Sequence, residues 1–178
     1  MATTIELERT YLLKYLPEGI DQATSVIIHD IYIPEQAPHA HLRLRHSGEK
    51  YEITKKMPVE NDPSKQYEHT IELEEEEFEA LAKSSSKDIK KRRYYMTVEG
   101  HKAEIDVYLD KLEGLAVIDF EFDSEDLMNS FKVPDFAAAE VTKEEAIAAG
   151  FLAGKSYRDI QSRLKDYNYS KFEQGVKS

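Results

Sequence analysis

The chain has 178 residues, enough to bury a sizeable core in one domain, and it contains no cysteine, which excludes disulfides and thiolate metal sites. Its 35 acidic and 24 basic residues give a net charge of −11, which disfavours nonspecific binding to nucleic acid or to anionic membranes. No apolar run of about 18 residues and no charged-then-apolar leader occurs, so we expect a cytoplasmic protein without a membrane partner.

The sequence predicts strands first and helices afterwards. Residues 5–12 alternate apolar and polar side chains like a strand, which places Glu6, Glu8 and Thr10 on one face. Seven more strands are expected at 24–33, 40–46, 51–57, 66–73, 89–99, 102–109 and 115–122. Turn-forming residues separate them, and the segment 61–64 is one of these breaks.

Helices are predicted at 74–83, 124–131, 142–149 and 156–167. A Thr142-x-x-Glu145 box opens the third, and Ser156 is the candidate N-cap of the fourth. Short strands joined by tight turns favour a sheet that closes on itself, because closure removes exposed edges. We therefore expect one α+β domain over 1–170, built on an eight-stranded antiparallel β-barrel with flanking helices, and a frayed tail over 171–178.

Charged residues of the same sign recur two positions apart on several predicted strands. These pairs are Glu6 and Glu8, Arg43 and Arg45, Lys91 and Arg93, Glu104 and Asp106, and Asp119 and Glu121. For each pair alone, a solvated outer face or a lattice of weak surface ion pairs is the ordinary explanation. If the sheet closes with these faces inward, the bases would surround a polyanion and the acids would hold metal ions that neutralise it further.

An ordered series of segments resembles the CYTH superfamily, whose members are also called triphosphate tunnel metalloenzymes. The series comprises Glu6-Leu7-Glu8-Arg9, residues 42–45, Lys56, Glu68, Lys91-x-Arg93-Tyr94, residues 105–108 and residues 119–122. The resemblance covers 5–142 and implies that the eight-stranded barrel forms a tunnel for a triphosphate. Members of this superfamily hydrolyse tripolyphosphate, thiamine triphosphate or other triphosphates, cap RNA ends, or cyclise ATP.

The resemblance also implies the roles of individual residues. The ligands for Mg²⁺ or Mn²⁺ would be Glu6, Glu8, Asp119 and Glu121. The phosphate-binding residues would be Arg43, Arg45, Lys56, Lys91 and Arg93. Glu68 and Asp106 would complete the acidic side and orient a second metal or the attacking water.

The chain departs from the family pattern at three places. The family motif is Glu-x-Glu-x-Lys, but Thr10 stands at the lysine position; Lys14, on the same strand face by parity, is the candidate substitute for phosphate binding. The Lys–Tyr pair that activates water in some members would be Lys56 with Tyr67 or, in a shifted register, with His69. The basic residue that often follows the last strand would be Lys143 or Lys155.

The favoured function is metal-dependent hydrolysis of inorganic tripolyphosphate or of a small organic triphosphate, such as thiamine triphosphate or a nucleoside triphosphate. Two alternatives stay open: a class IV adenylyl cyclase, and a non-hydrolytic polyphosphate or nucleotide binder, which Thr10 in place of lysine suggests. We expect no nucleic-acid partner, and a homodimer by analogy. The histidines of His39-x-His41 are expected at the surface or facing phosphate, and not in a transition-metal site.

Overall fold

The computed structural model describes residues 4–173 as nine strands and four short α-helices. The strands are β1 (Thr4–Leu13), β2 (Thr24–Ile33), β3 (Leu42–Ser47), β4 (Lys50–Val59), β5 (Asp62–Leu73), β6 (Asp88–Val98), β7 (His101–Tyr108), β8 (Ala116–Glu121) and β9 (Ala137–Glu140). The helices are α1 (Glu75–Ala82), α2 (Glu125–Ser130), α3 (Ala149–Leu152) and α4 (Tyr157–Asp166). Three 3₁₀ helices lie at Ile20–Gln22, Asp110–Leu112 and Glu145–Ile147.

The first eight strands close into an antiparallel barrel. Their hydrogen-bonded order is β5-β4-β3-β2-β6-β7-β8-β1, and a further pairing between β1 and β5 completes the cylinder. This confirms the predicted α+β class with an eight-stranded antiparallel barrel and flanking helices. Closure also fixes which side chains face the interior, because alternate side chains of every strand must then point into the lumen.

Strand β1 changes its partner halfway along one edge. Residues Thr4–Leu7 pair with β5, whereas Tyr11 and Leu13 pair with β9. Between them, the Thr10 N–H donates to the hydroxyl of Thr142 at 3.1 Å, and the Thr10 carbonyl accepts from the Val141 N–H at 2.8 Å. A ninth strand therefore occupies the edge of β1 that β5 leaves. The sequence analysis missed β9 because its alanines neither alternate in polarity nor favour strands.

The main apolar core lies outside the barrel. It packs the outer faces of β1, β7 and β8 against the C-terminal helices, and its fully buried members include Ile105, Ile118, Phe120, Leu152 and Leu164. On the opposite side, α1 places Phe78 over the outer faces of β2 and β3. The lumen is thereby left free for polar side chains.

The predicted helix at 142–149 is wrong. The segment instead contains the 3₁₀ helix Glu145–Ile147, and α3 begins only at Ala149. Thr142 caps no helix, because its hydroxyl is engaged by β1 and donates to Glu140 at 2.9 Å. Gly150 follows in close contact with the chain at Ala40, and a β-carbon added to the glycine would clash with the Ala40 carbonyl oxygen. This segment is therefore shaped by contacts across the end of the barrel.

The remaining boundaries agree with prediction to within a few residues. The predicted break at 61–64 is shorter than expected, since Glu60 and Asn61 form the turn, with φ of 49° and 65°, and β5 begins at Asp62. Ser156 caps α4 as predicted, in a capping box with Asp159. Within the predicted tail, the Phe172 side chain is buried and its N–H donates to the Gly114 carbonyl, while residues from 174 onward lie outside the described part.

Within residues 4–173, none of the helices combines the length and the apolar character needed to cross a membrane.

Thr142→Val tests the partner change of β1. The substitution keeps the shape of the side chain but removes the acceptor of the Thr10 N–H, so we expect the free energy of unfolding to fall by about 1–2 kcal/mol. Thr142→Ser keeps the hydroxyl and should lose less. Chemical denaturation of the two variants measures the difference, and equal stabilities would contradict the role of this hydrogen bond.

Candidate active site

A cavity of about 720 Å³ lies inside the barrel and is lined by charged side chains from seven of its eight strands. Its charged strand residues are Glu6, Glu8, Arg43, Arg45, Lys56, Glu68, Lys91, Arg93, Glu104, Asp106, Asp119 and Glu121. The loop 39–41 and the segment 141–150 line one end of it. The inward orientation that the sequence left open is therefore the one observed, and all the predicted site residues except Lys14 and Tyr67 line this cavity.

Two arginines of β3 surround a buried aspartate of β2. Arg45 donates to both carboxylate oxygens of Asp30, at 2.7 and 2.8 Å, and the Arg43 Nε lies 3.9 Å from the same carboxylate. Burial opposes ionisation of Asp30, but Arg45 and Arg43 outweigh it and hold its pKa well below the usual range. Sequence reasoning missed Asp30, because apolar residues dominate the strand around it.

A second buried carboxylate holds the bases of β6. Arg93 donates to both oxygens of Asp106 at 2.7 Å, and the Lys91 Nζ lies 2.5 Å from one of them. Although burial opposes it, Arg93 and Lys91 keep the pKa of Asp106 well below its usual range. Burial lowers the pKa of Lys91 despite this partner. Asp106 is therefore a positioning residue for both bases.

The side of the cavity opposite these bases, here called the acidic wall, carries the carboxylates Glu6, Glu8, Asp119 and Glu121. Burial raises the pKa of Glu8, an effect that Lys56 opposes and Glu6 reinforces. Burial, together with the charges of Glu8 and Asp106, raises the pKa of Asp119 from 3.8 to about 7. Thr10 donates its hydroxyl to Asp119 at 2.5 Å. At the position of the motif lysine, threonine thus supplies a hydrogen bond without a charge.

Lys56 lies among three of the glutamates. Its Nζ is 2.6 Å from Glu6, 3.0 Å from Glu68 and 4.0 Å from Glu8. Its pKa is raised, because these three charges outweigh the effect of burial. Gln66, which sequence reasoning also missed, donates to the remaining Glu8 oxygen at 2.7 Å.

Two predicted site residues and one alternative lie elsewhere. Lys14 follows the last residue of β1 and donates to the Asp135 carbonyl at 2.9 Å, so it is not a tunnel substitute for the motif lysine. Tyr67 points outward and is 36% exposed, because its neighbour Glu68 faces the lumen. His69 has the same parity as Tyr67 and does not line the cavity. The tyrosines that do line it are Tyr32 and Tyr108.

The end of the cavity near loop 39–41 carries histidines and a lysine. The rings of His39 and His41 are 4.5 Å apart, and His39 Nδ1 lies 3.3 Å from Glu145. Lys143 lines this end, whereas Lys155 packs its ammonium 3.0 Å from the Phe151 ring centre, away from the cavity. Of the two lysines proposed for this end of the tunnel, Lys143 is the one in place.

The acidic wall suits a hard divalent cation in its chemistry. Its donors are carboxylate oxygens, which Mg²⁺ and Mn²⁺ prefer, and burial together with neighbouring negative charge raises the pKa values of Glu8 and Asp119. In the described part of the chain, no three His, Asp or Glu side chains converge closely enough to hold an ion. Lys56 and Gln66 engage the glutamates of β1 instead.

Comparison with known proteins identifies the family to which this barrel and its charged lumen belong. The profile of the CYTH domain matches residues 5–145, and the chain belongs to this family. An inorganic triphosphatase of Nitrosomonas europaea is 30% identical over 142 residues, which are 79% of this chain and 91% of that protein.

Solved structures agree with this assignment. The crystal structure of an inorganic triphosphatase superposes with a TM-score of 0.63 at 28% identity, over 86% of this chain and 95% of that one. A Hippeastrum protein, described as having a dominant triphosphatase activity, shares the fold at 12% identity with a TM-score of 0.52, over 97% of this chain and 92% of its own.

Asp119→Asn tests the uncompensated charge of the acidic wall. In the folded protein Asp119 keeps its proton up to a pKa of about 7. The contribution of Asp119 to the free energy of unfolding therefore falls as pH rises from about 4 to 7, and it stays low at higher pH. The variant, measured with a chelator present, should be more stable than the wild type at pH 8, by up to about 4 kcal/mol. This advantage should shrink towards pH 4.

Asp30→Asn is the matched control with the opposite sign. The depressed pKa of Asp30 means that its contribution to stability is present above the unfolded pKa and is lost on acidification, so this variant should be less stable than the wild type at pH 8. Thermal denaturation across pH compares the two variants. Destabilisation of both at pH 8 would contradict the account of Asp119.

Proposed function

We propose that the protein is a divalent-metal-dependent hydrolase of triphosphates, acting on inorganic tripolyphosphate or a small organic triphosphate. One observation carries the proposal: a single cavity holds a group of bases, among them Arg43, Arg45, Lys91 and Arg93, facing a wall of carboxylates. Bases alone would suit any polyanion. Bases combined with uncompensated acids suit a polyanion that is processed together with a metal ion.

The arginines would bind the phosphate groups. Arginine offers several donors in a planar fork that matches phosphate oxygens. Arg43 lines the cavity, and its Nε is buried without a hydrogen-bond partner among residues 4–173. Asp30 and Asp106 fix the guanidinium groups of Arg45 and Arg93 before any ligand arrives, and such pre-organisation is the main source of catalysis in phosphoryl transfer.

The carboxylates Glu6, Glu8, Asp119 and Glu121 would hold the Mg²⁺ or Mn²⁺. When bound, such an ion withdraws charge from the phosphoryl oxygens and thereby favours attack at phosphorus. The similarity to the Nitrosomonas europaea inorganic triphosphatase supports a triphosphate as the substrate. Glu104 lies opposite Asp119 in the register of β7 and β8, but its carboxylate forms an ion pair with Arg93, so it lies between the acids and the bases.

Lys91 is the better lysine for accepting a proton from the attacking water. Burial lowers the pKa of Lys91, whereas the acidic neighbours of Lys56 raise its pKa, so Lys91 gives up a proton more readily than Lys56 does. The Lys91 Nζ also lies 5.9 Å from the centre of the Tyr108 ring. We therefore propose Lys91, with Tyr108 or Tyr32, in place of Lys56 with Tyr67.

Product analysis tests the function directly. The purified protein is incubated with tripolyphosphate, thiamine triphosphate and ATP in the presence of Mg²⁺ or Mn²⁺, and phosphate, pyrophosphate and cyclic AMP are measured. We expect phosphate release that chelation stops and that Glu8→Gln reduces by at least about a hundredfold, because the substitution removes a negative ligand oxygen.

Glu79→Gln, an exposed change on α1, serves as the control and should keep full activity. Pyrophosphate released together with cyclic AMP would favour the cyclase. Binding without turnover would favour the non-hydrolytic binder.

Lys91→Met and Lys90→Met form a matched pair that tests the proposed base. Lys91 faces the lumen, whereas Lys90 is 44% exposed and pairs at 3.6 Å with Asp110. Lys91→Met should lower kcat by about 10²–10⁴-fold and change KM less, since general-base catalysis contributes about that much. Steady-state kinetics on tripolyphosphate measures both constants. A kcat of Lys91→Met equal to that of Lys90→Met would rule out the role of Lys91.

A further inference from the structure

The Lys56 ammonium occupies a position that a cation would favour. Three carboxylates, those of Glu6, Glu68 and Glu8, have an oxygen within 4.0 Å of its Nζ. Its own side chain is 27% exposed, and those of the three acids are between 18% and 34% exposed, so solvent screens these charges only in part. Lys56 is thus an internal counterion for one side of the acidic wall.

The contacts of Lys56 are fixed from several strands. It lies on β4 directly opposite Glu68 of β5, while Glu6 and Glu8 reach it from β1. Its backbone N–H donates a hydrogen bond to the His41 carbonyl at 3.2 Å, which fixes the backbone from which the Lys56 side chain extends. With Lys56 protonated and the three acids ionised, the group carries two negative charges in excess.

Two of these acids are proposed metal ligands. Glu6 and Glu8 each have Lys56 as an ion-pair partner, and the salt bridges found among residues 4–173 give neither of them another. A metal ion that binds these carboxylates must therefore displace the ammonium or approach beside it. Like charges at such distances repel strongly where solvent is restricted.

We propose that Lys56 competes with the metal ion for Glu6 and Glu8, so that the free protein binds the metal weakly and binds it well only together with a triphosphate. A triphosphate offers anionic oxygens to which the flexible Lys56 side chain can move, and this frees the glutamates for the cation. The inference rests on the proposed metal-binding role of these glutamates. It assigns Lys56 a part in the order of binding in addition to phosphate contact.

Mn²⁺ binding to the free protein, measured by calorimetry without any phosphate, tests this role. Lys56→Met should bind Mn²⁺ at least about tenfold more tightly than the wild type, because the competing charge is removed. Lys56→Arg retains the charge and should stay close to the wild type. Lys55→Met is the matched control: Lys55 is the exposed, outward-facing neighbour on the same strand, and its removal should leave the affinity unchanged.

Equal or weaker Mn²⁺ binding by Lys56→Met would overturn the proposal, and so would equal tightening in Lys55→Met. If Lys56→Met does not fold alone, the same argument predicts that Mn²⁺ restores its circular dichroism spectrum, and a variant still unfolded with Mn²⁺ would contradict it. Turnover is measured separately. Tighter Mn²⁺ binding in a protein that hydrolyses no triphosphate would refute the proposed function and leave the role of Lys56 intact.

Discussion

The structure depends on neutralising the charges that a closed sheet forces into its interior. An isolated buried charge would destabilise the fold by several kcal/mol, so each buried anion needs a partner with good geometry. Asp106 is directly opposite Arg93 on β7 and β6, and Asp30 is directly opposite Arg45 on β2 and β3. In both cases the partner is the cross-strand neighbour, so the pairing that builds the barrel also brings the charges together.

The same two carboxylates divide the lumen into unlike halves. Asp30 and Asp106 each hold two bases, so the basic half is locally compensated and its arginines are fixed in position. The acidic half has no such arrangement, and burial with mutual repulsion raises the pKa values of Glu8 and Asp119. A rigid basic half and a destabilised acidic half are expected where a site is built to accept charge from outside.

Most of the lumen could be predicted from sequence because the side-chain period of a strand is two. Spacing alone grouped Glu6 with Glu8 and Arg43 with Arg45, and the family resemblance supplied the direction. The phase of β5 could not be predicted, since it depends on the closing register that pairs Thr4 with Glu68 and turns Tyr67 outward. Asp30 was missed because apolar residues dominate its strand. The parity of Lys14 has no meaning beyond the end of β1.

Thr10 links the electrostatics of the site to its architecture. A lysine at this position would place a cation beside Asp119, whereas threonine gives that carboxylate one hydrogen bond and leaves its charge uncompensated. Thr10 also lies where β1 changes partners, and its N–H is satisfied by Thr142 from the segment that follows β9. The residue therefore joins the acidic wall to the segment that lines one end of the cavity. With no cation at position 10, the charges of Glu6 and Glu8 are balanced by Lys56 and by whatever cation the site binds.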